Sequence, residues 1–280
     1  MFAFHSGCSV GASYNASWLR EAEDSPSAWK GPRAAEKSKK TFSKAIKPLA
    51  ITLLTLLLAA CASNRREPSP RDYPIHGIDV ARYQGDIDWN TVRRGGVAFA
   101  WIKATEGGDY TDPKFLDNWY GAKAAGVPRG AYHFTYWCRP AIEQAAWFLQ
   151  NVPVDPDALP PVLDVEWNGH SKTCPIKIPR AKAIAEMQIL LNAMEQYYGK
   201  RPVIYTDITF FNDVMRGEFE RYPIWVRSIP RYPTPRFDGR QWYFWQYTAK
   251  GKVPGITGDV DRNAFYGTAH MWERFKSGDL

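Results

Sequence analysis

From residue 75 onward the chain alternates short β-rich runs with polar or helical stretches, and this alternation limits the folds available to it. The runs cover residues 75–80, 97–103, 130–134, 161–165, 202–206, 223–227, 242–247 and 259–265. Most are entered or left through Gly, Pro or Asp, the residues that punctuate strands. Between them lie helical patterns. Asp112-Pro113 supplies an N-cap and first-turn proline, followed by Phe115, Trp119 and Ala122 on one face. Arg139-Pro140 opens a second helix that packs Ala141, Ala145 and Phe148. A third runs over 179–198, with Ile184, Met187, Leu191, Met194 and Tyr198 at three- and four-residue spacing, and Gly199 stops it. Strand–helix alternation with eight strands predicts an α/β barrel. Residues 75–268 are fewer than the ~250 of a full eightfold barrel. The expected fold is therefore an incomplete (β/α)8-type, TIM-like barrel with eight strands and short or missing helices in its C-terminal half. Residues 269–280 then form a C-terminal tail.

The segment ahead of the barrel has a different composition. Of 36 Lys/Arg and 29 Asp/Glu, giving a formal charge of +7, residues 1–60 hold eight basic and four acidic side chains. Lys37, Lys39, Lys40, Lys44 and Lys47 precede the apolar run 49–60 (LAITLLTLLLAA), and Cys61 follows. Twelve residues rise about 18 Å as a helix, too short for a bilayer core of roughly 30 Å. A basic region, a short apolar region and small residues read as a signal peptide over 37–61. Leu58-Ala59-Ala60-Cys61 resembles a bacterial lipobox, which makes Cys61 the expected lipidation site. Residues 1–36 are a leader or reflect a start assigned too far upstream, and the polar, Pro-rich 62–74 (ASNRREPSPRDYP) is a linker. These features place the protein outside the cytoplasm, lipid-anchored to a bacterial membrane. With no acidic residue directly after Cys61, the expected site is the outer membrane, facing the periplasm. The remaining residues are only mildly cationic and carry no basic block of the nucleic-acid-binding type.

Catalytic groups of such barrels stand at one rim. The run ends place Asp79, Lys103 and Glu106, Tyr132 and His133, Asp164 and Glu166, Tyr205 and Asp207, Gln246 and Asp261 there. Acids and aromatics together suit a glycan cleft, with carboxylates for proton transfer and ring faces for sugars. Asp164 and Glu166, two apart on one strand, face the same side, and two carboxylates at low dielectric cannot both ionise freely. Taken alone, this D-x-E is as well explained by two solvated acids at a strand end. His133 reads as a hydrogen-bonded structural imidazole in preference to a proton shuttle. His, Cys and acids show no metal-ligand spacing, and no phosphate-binding glycine loop is present, so no metal or cofactor is expected.

Several motifs occur in order along residues 75–267. Asp79-Val80-Ala81-Arg82-Tyr83-Gln84-Gly85 comes first, then Trp101-Ile102-Lys103-Ala104-Thr105-Glu106-Gly107 with Asp112. Gly130-Ala131-Tyr132-His133-Phe134, Asp164-Val165-Glu166 and Pro202-Val203-Ile204-Tyr205-Thr206 follow, and Trp245-Gln246-Tyr247 and Gly258-Asp259-Val260-Asp261-Arg262-Asn263 complete the set. The set resembles glycoside hydrolase family 25, the lysozymes of the Chalaropsis and phage-endolysin type. The resemblance implies hydrolysis of the β-1,4 bond between N-acetylmuramic acid and N-acetylglucosamine in peptidoglycan. It makes Glu166 the general acid and Asp164 the group that orients the substrate's 2-acetamido, whose carbonyl oxygen attacks the anomeric carbon. Asp79 and Asp261 match two further acids of the family's site. Tyr132, Tyr205 and Gln246 match sugar contacts, and Trp225 joins the substrate-binding set. Glu106 serves substrate or cleft shape equally well, and helix capping alone accounts for Asp112. The strand Ile224-Trp225-Val226-Arg227-Ser228-Ile229 departs from the family, which usually has a small residue where Arg227 stands. The cation could pair with Asp207 or Asp261, or reshape a subsite.

A chitinase-like hexosaminidase and a non-catalytic peptidoglycan-binding lipoprotein are the alternatives. The expected partners are glycan strands and, through the lipid, a membrane; nucleic acid is not expected, and the chain should act as a monomer. Cys138 and Cys174 follow consecutive strands whose loops leave one rim as neighbours. In an oxidising compartment they are expected to form a disulfide above the cleft.

Overall fold

The computed structural model describes residues 66–278. The leader 1–36, the signal-type segment 37–61 with Cys61, and linker residues 62–65 lie outside the described residues.

Nine strands form one sheet: β1 (His76–Val80), β2 (Phe99–Glu106), β3 (Tyr110–Thr111), β4 (Arg129–Phe134), β5 (Val162–Val165), β6 (Val203–Asp207), β7 (Ile224–Arg227), β8 (Phe244–Gly251) and β9 (Val260–Phe265). Pairing of β1 with both β9 and β2 closes eight of them into a barrel, while β3 folds back on β2 as a short ribbon. All eight expected strands are present. The chain from β1 to β8 pairs in parallel around the barrel, but β9 runs antiparallel to both its neighbours. The reason is length. Only residues 252–259 separate β8 from β9, whereas a parallel crossover needs a dozen or more.

The helices α1 (Trp89–Arg94), α2 (Phe115–Ala124), α3 (Ala141–Asn151) and α4 (Arg180–Tyr198) pack outside the first part of the barrel. After β6 only the short helical segment 208–215 remains, after β7 a single 3-10 turn, and between β8 and β9 no helix at all. This is the lopsided helix layer that the chain length requires. In α4, Ala183, Met187, Leu190, Leu191 and Met194 form the buried stripe, Pro179 stands at the N-cap, and Gly199 closes the helix with φ at 65°. Among the described residues no helix is long and apolar enough to cross a membrane.

Strand alternation divides the core in two. Ile78, Ala100, Ile102, Leu163, Ile204, Val226 and Trp245 face out toward the helices. Phe99, Trp101, Val162, Val203, Tyr205, Trp225, Phe244 and Phe265 face into the barrel. Much of the chain's aromatic content fills this lumen, at roughly 1.5–3 kcal/mol for each large side chain fully buried. The filling leaves no room for a side chain at two inward positions. A Cβ at Gly77 would stand 2.4 Å from the Phe99 ring, and one at Gly130 2.2 Å from the Trp101 ring.

Two local expectations are corrected. Residues 269–280 are not simply a tail, because α5 (Ala269–Ser277) is capped by Thr268, whose side chain accepts the Met271 N–H. Trp272 and Phe275, three apart, close the lower mouth of the barrel against Phe99, Phe244 and Phe265. Asp112 is not the N-cap of α2; that position is Lys114. Its carboxylate instead accepts the N–H groups of Lys114 and Arg82, at 2.9 and 3.0 Å, tying the start of α2 to the loop after β1.

Candidate active site

The C-terminal ends of the parallel strands and the N-terminal end of β9 share one rim, because β9 runs the other way. Asp261 therefore stands at the rim from the start of its strand, directly opposite Asp79 in the β1–β9 register. Inward-facing positions at this level carry polar groups in place of the aromatics below. Asp79, Lys103, Tyr132, Phe134, Asp164, Glu166, Tyr205, Trp225, Arg227, Gln246 and Asp261 line a cavity of about 250 Å³. Lys103, Phe134, Glu166 and Arg227 also belong to an adjoining groove of about 500 Å³ that extends to Tyr83, Glu106, Tyr136, Trp167 and His170. Eight of the nine expected catalytic and sugar-contacting residues thus share one cavity. The ninth, Glu106, lies in the groove, held by an ion pair with Lys103. Trp225 is only 2% exposed and forms floor, not platform, its ring against Tyr205 and Trp101.

A relay of hydrogen bonds fixes Asp79. The Tyr205 hydroxyl donates to Gln246 Oε1 at 3.0 Å, and Gln246 Nε2 donates to both Asp79 oxygens at 3.0 and 3.2 Å. Asn263 Nδ2 adds a donor to Asp79 Oδ2 at 2.8 Å. Burial and the Asp261 carboxylate push Asp79 up to about 8, against the pull of these amides. In the sequence Asn263 stands within the last motif with no role of its own. Its signal was its place two residues after Asp261, on the same inward face of β9.

Asp164 is the last inward-facing residue of β5, and Glu166 follows just beyond the strand. Asp164 is buried, and its Oδ1 has no hydrogen-bond partner. Burial, followed by the Glu166 charge, raises Asp164 well above the usual carboxylate range. Burial and then Asp207 push Glu166 up to about 7, while Arg227 and Lys103 oppose the rise. The result is a carboxyl group that still holds its proton near neutrality, beside a second acid, in a cavity of sugar dimensions.

His133 lies behind this wall, fully buried on the outer face of β4. Gln144 Nε2 donates to the carbonyls of Tyr136 and Arg139, so Gln144 Oε1 faces His133 Nε2 at 3.1 Å. His133 Nε2 therefore carries the hydrogen, and Nδ1 accepts from the Thr105 hydroxyl at 2.7 Å. Burial lowers this imidazole to about 4. It is a structural, neutral ring.

Cys138 and Cys174 are joined in the structure, with Cα atoms 5.7 Å apart. The bridge ties the loop after β4 to the loop after β5. Asn168, on the second loop, accepts the Trp137 N–H and donates to the Thr135 carbonyl. Asn168, His170 and Ser171 form part of the groove wall. Among the described residues no cluster of His, Cys, Asp and Glu could hold a metal ion.

The model of glycosyl hydrolases family 25 matches residues 78–256, which include β2 to β8 and three of the four acids of the cavity, Asp261 standing just beyond them. The chain belongs to that family. The chain is also similar to individual proteins. Lysozyme M1 of Streptomyces globisporus is 38% identical over 213 residues, covering 70% of this chain and 69% of its own. YegX of Escherichia coli K12 is 39% identical over 214 residues, covering 75% and 76%. The solved family 25 glycosyl hydrolase from Bacillus anthracis superposes with a TM-score of 0.69 at 36% identity, over 78% of this chain and 99% of its own.

Proposed function

We propose that this family 25 chain is an N-acetylmuramidase that cleaves the β-1,4 bond between N-acetylmuramic acid and N-acetylglucosamine in peptidoglycan. The observation that carries the reading is the buried, unpartnered Oδ1 of Asp164 beside a Glu166 whose carboxyl burial pushes up to about 7. A buried acceptor without a donor is costly, and the N–H of a substrate acetamido group is a donor of the required kind. With that N–H held by Asp164, the acetamido carbonyl oxygen faces the anomeric carbon. Glu166 gives its proton to the glycosidic oxygen as the C–O bond breaks, the acetamido oxygen bonds to the anomeric carbon, and water later opens the ring so formed. Asp79 and Asp261 line the same cavity, Asp261 helping to keep the proton on Asp79, and any charge on Asp79 favours the protonated form of Asp164. Tyr132, Tyr205 and Gln246 line the sugar position, and Glu106 with Lys103 shapes its approach.

All of these groups come from one chain, which supports action as a monomer. The cationic stretch Lys37–Lys47, the apolar run and Leu58-Ala59-Ala60-Cys61 support export and lipid attachment at Cys61, with the enzyme held at a bacterial membrane, the outer membrane facing the periplasm. Digestion of purified sacculi followed by analysis of the new reducing ends tests the activity. Reducing-end muramic acid supports it, reducing-end glucosamine reassigns the bond, and intact glycan refutes it. For the anchor, Cys61→Ser should release the protein from the membrane fraction; unchanged fractionation and mass would remove lipidation.

A further inference from the structure

Arg227 is a cation at the rim of the cavity whose surroundings leave it without an ion-pair partner. It closes β7 at the rim, exposed to solvent, and it lines both the 250 Å³ cavity and the larger groove. Among the described residues its guanidinium makes no salt bridge and no hydrogen bond, although carboxylates surround it. Glu166 and Asp261 feel its charge, yet neither forms an ion pair with it. Asp207, its cross-strand neighbour in the β6–β7 register, turns its Oδ1 to the Phe210 N–H at 2.7 Å. Asp79 is held by the amides of Gln246 and Asn263. Glu106 is taken by Lys103, whose ammonium also lies over the Phe134 ring at 4.9 Å. Of the two cations in the cavity, Lys103 forms an ion pair within the protein and Arg227 forms none. A guanidinium presents a planar fork of donors that fits a carboxylate with two parallel hydrogen bonds.

Resting on the muramidase reading, we propose that Arg227 binds a carboxylate carried by the glycan, so that the enzyme prefers acidic muramoyl strands over neutral aminosugar polymers. Two carboxylates of peptidoglycan have this chemistry. One is the lactyl carboxylate on a muramoyl residue stripped of its peptide, and the other belongs to the stem peptide where that is attached. The position of Arg227 at the junction of cavity and groove places the bound anion beside the sugar that meets Glu166. Its positive charge also lowers the proton affinity of Glu166, Asp79 and Asp261, so anion binding and acid tuning must be separated by experiment.

The test compares the wild-type protein with Arg227→Gln and Arg227→Lys on four substrates. These are peptide-stripped glycan strands with free lactyl carboxyls, the same strands amidated, peptide-bearing fragments, and the same fragments with their peptide carboxyls amidated. The wild type should cleave one charged substrate with kcat/KM about tenfold to a hundredfold above its amidated partner, the effect falling mainly on KM. Which pair shows the preference identifies the source. Arg227→Gln should abolish that preference, and Arg227→Lys should retain part of it. If Arg227→Gln lowers cleavage equally on charged and amidated substrates, or only moves the alkaline limb of kcat on all of them, the carboxylate site is refuted. A wild-type protein that cuts none of the four refutes the muramidase reading instead.

Discussion

The indole N–H of Trp225 donates to Asn263 Oδ1 at 2.8 Å, and because an indole nitrogen can only donate, the contact decides which way the Asn263 amide faces. Its NH2 is left pointing at Asp79. A floor residue with no chemistry of its own thus fixes a donor on a carboxylate at the rim.

Asn263→Ala removes that donor and orphans the buried Trp225 N–H. The expected loss of stability is about 1–3 kcal/mol, read by urea unfolding. Asp79, with one fewer amide favouring its charged form, should move further up. A loss below about 0.5 kcal/mol would show that Trp225 finds another acceptor.

Glu166→Gln is nearly isosteric but has no proton to give. Turnover should fall by more than a thousandfold while glycan binding is kept; activity within tenfold, about 1.4 kcal/mol of barrier, removes Glu166 as the acid. In the wild type, kcat should be level on the acid side and fall above about pH 7, as the proton is lost. The same shift sets a stability trend. A carboxyl raised from 4.5 to about 7 holds more protons folded than unfolded across that window. Wild-type stability from this group is therefore present below pH 4.5 and lost as pH rises through 7. Glu166→Gln, which does not titrate, should gain on the wild type between pH 4 and pH 8.

His133 works in the opposite sense. Its imidazole is lowered from 6.5 to about 4, so the folded chain binds fewer protons than the unfolded chain between those values. Its contribution is present above pH 6.5 and lost as pH falls toward 4. His133→Asn should destabilise the protein at pH 7, and the difference from wild type should shrink at pH 5. A difference that stays constant with pH would mean that folding leaves the proton affinity of the ring unchanged, and one that grows toward pH 5 would mean that the ring is charged when folded.

Replacing Cys138 and Cys174 by serine frees a loop that carries part of the groove wall. The chain-entropy argument for 36 residues of separation gives about 3–4 kcal/mol of lost stability. Because Asn168, His170 and Ser171 line the groove and not the acid pair, KM for long strands should rise with kcat little changed. An unaltered KM with lower stability would confine the bridge to a structural role.

The strands were legible because each run is short, β-rich and bounded by turn residues, and the rim acids because they fall at the ends of those runs. Other features depend on distances that sequence does not carry. The six-residue α1 is too short to show a period. The direction of β9 follows from counting the residues before it, yet its run alone reads the same either way. Asn263 gained a role only when Trp225 was seen to face it across the lumen. Trp225 itself stands with the substrate-binding residues in sequence, and only the alternation along β7 shows that it lines the cavity as its floor. In α5 the pair Trp272 and Phe275 has helical spacing with too few repeats to stand out. The freedom of Arg227 required knowing where Asp207 sends its carboxylate.

The reversed course of β9 has a further consequence. Because the last strand descends from the rim, the described chain finishes where it started. Tyr73 packs on Trp242 ahead of β1, and α5 seals the lower mouth, both at the end of the barrel away from the acids. The sealed mouth and the open one therefore divide the labour of the barrel: the first and last described elements close its rear, and the acids keep the front to themselves, so a polymer strand meets only loops and strand ends there.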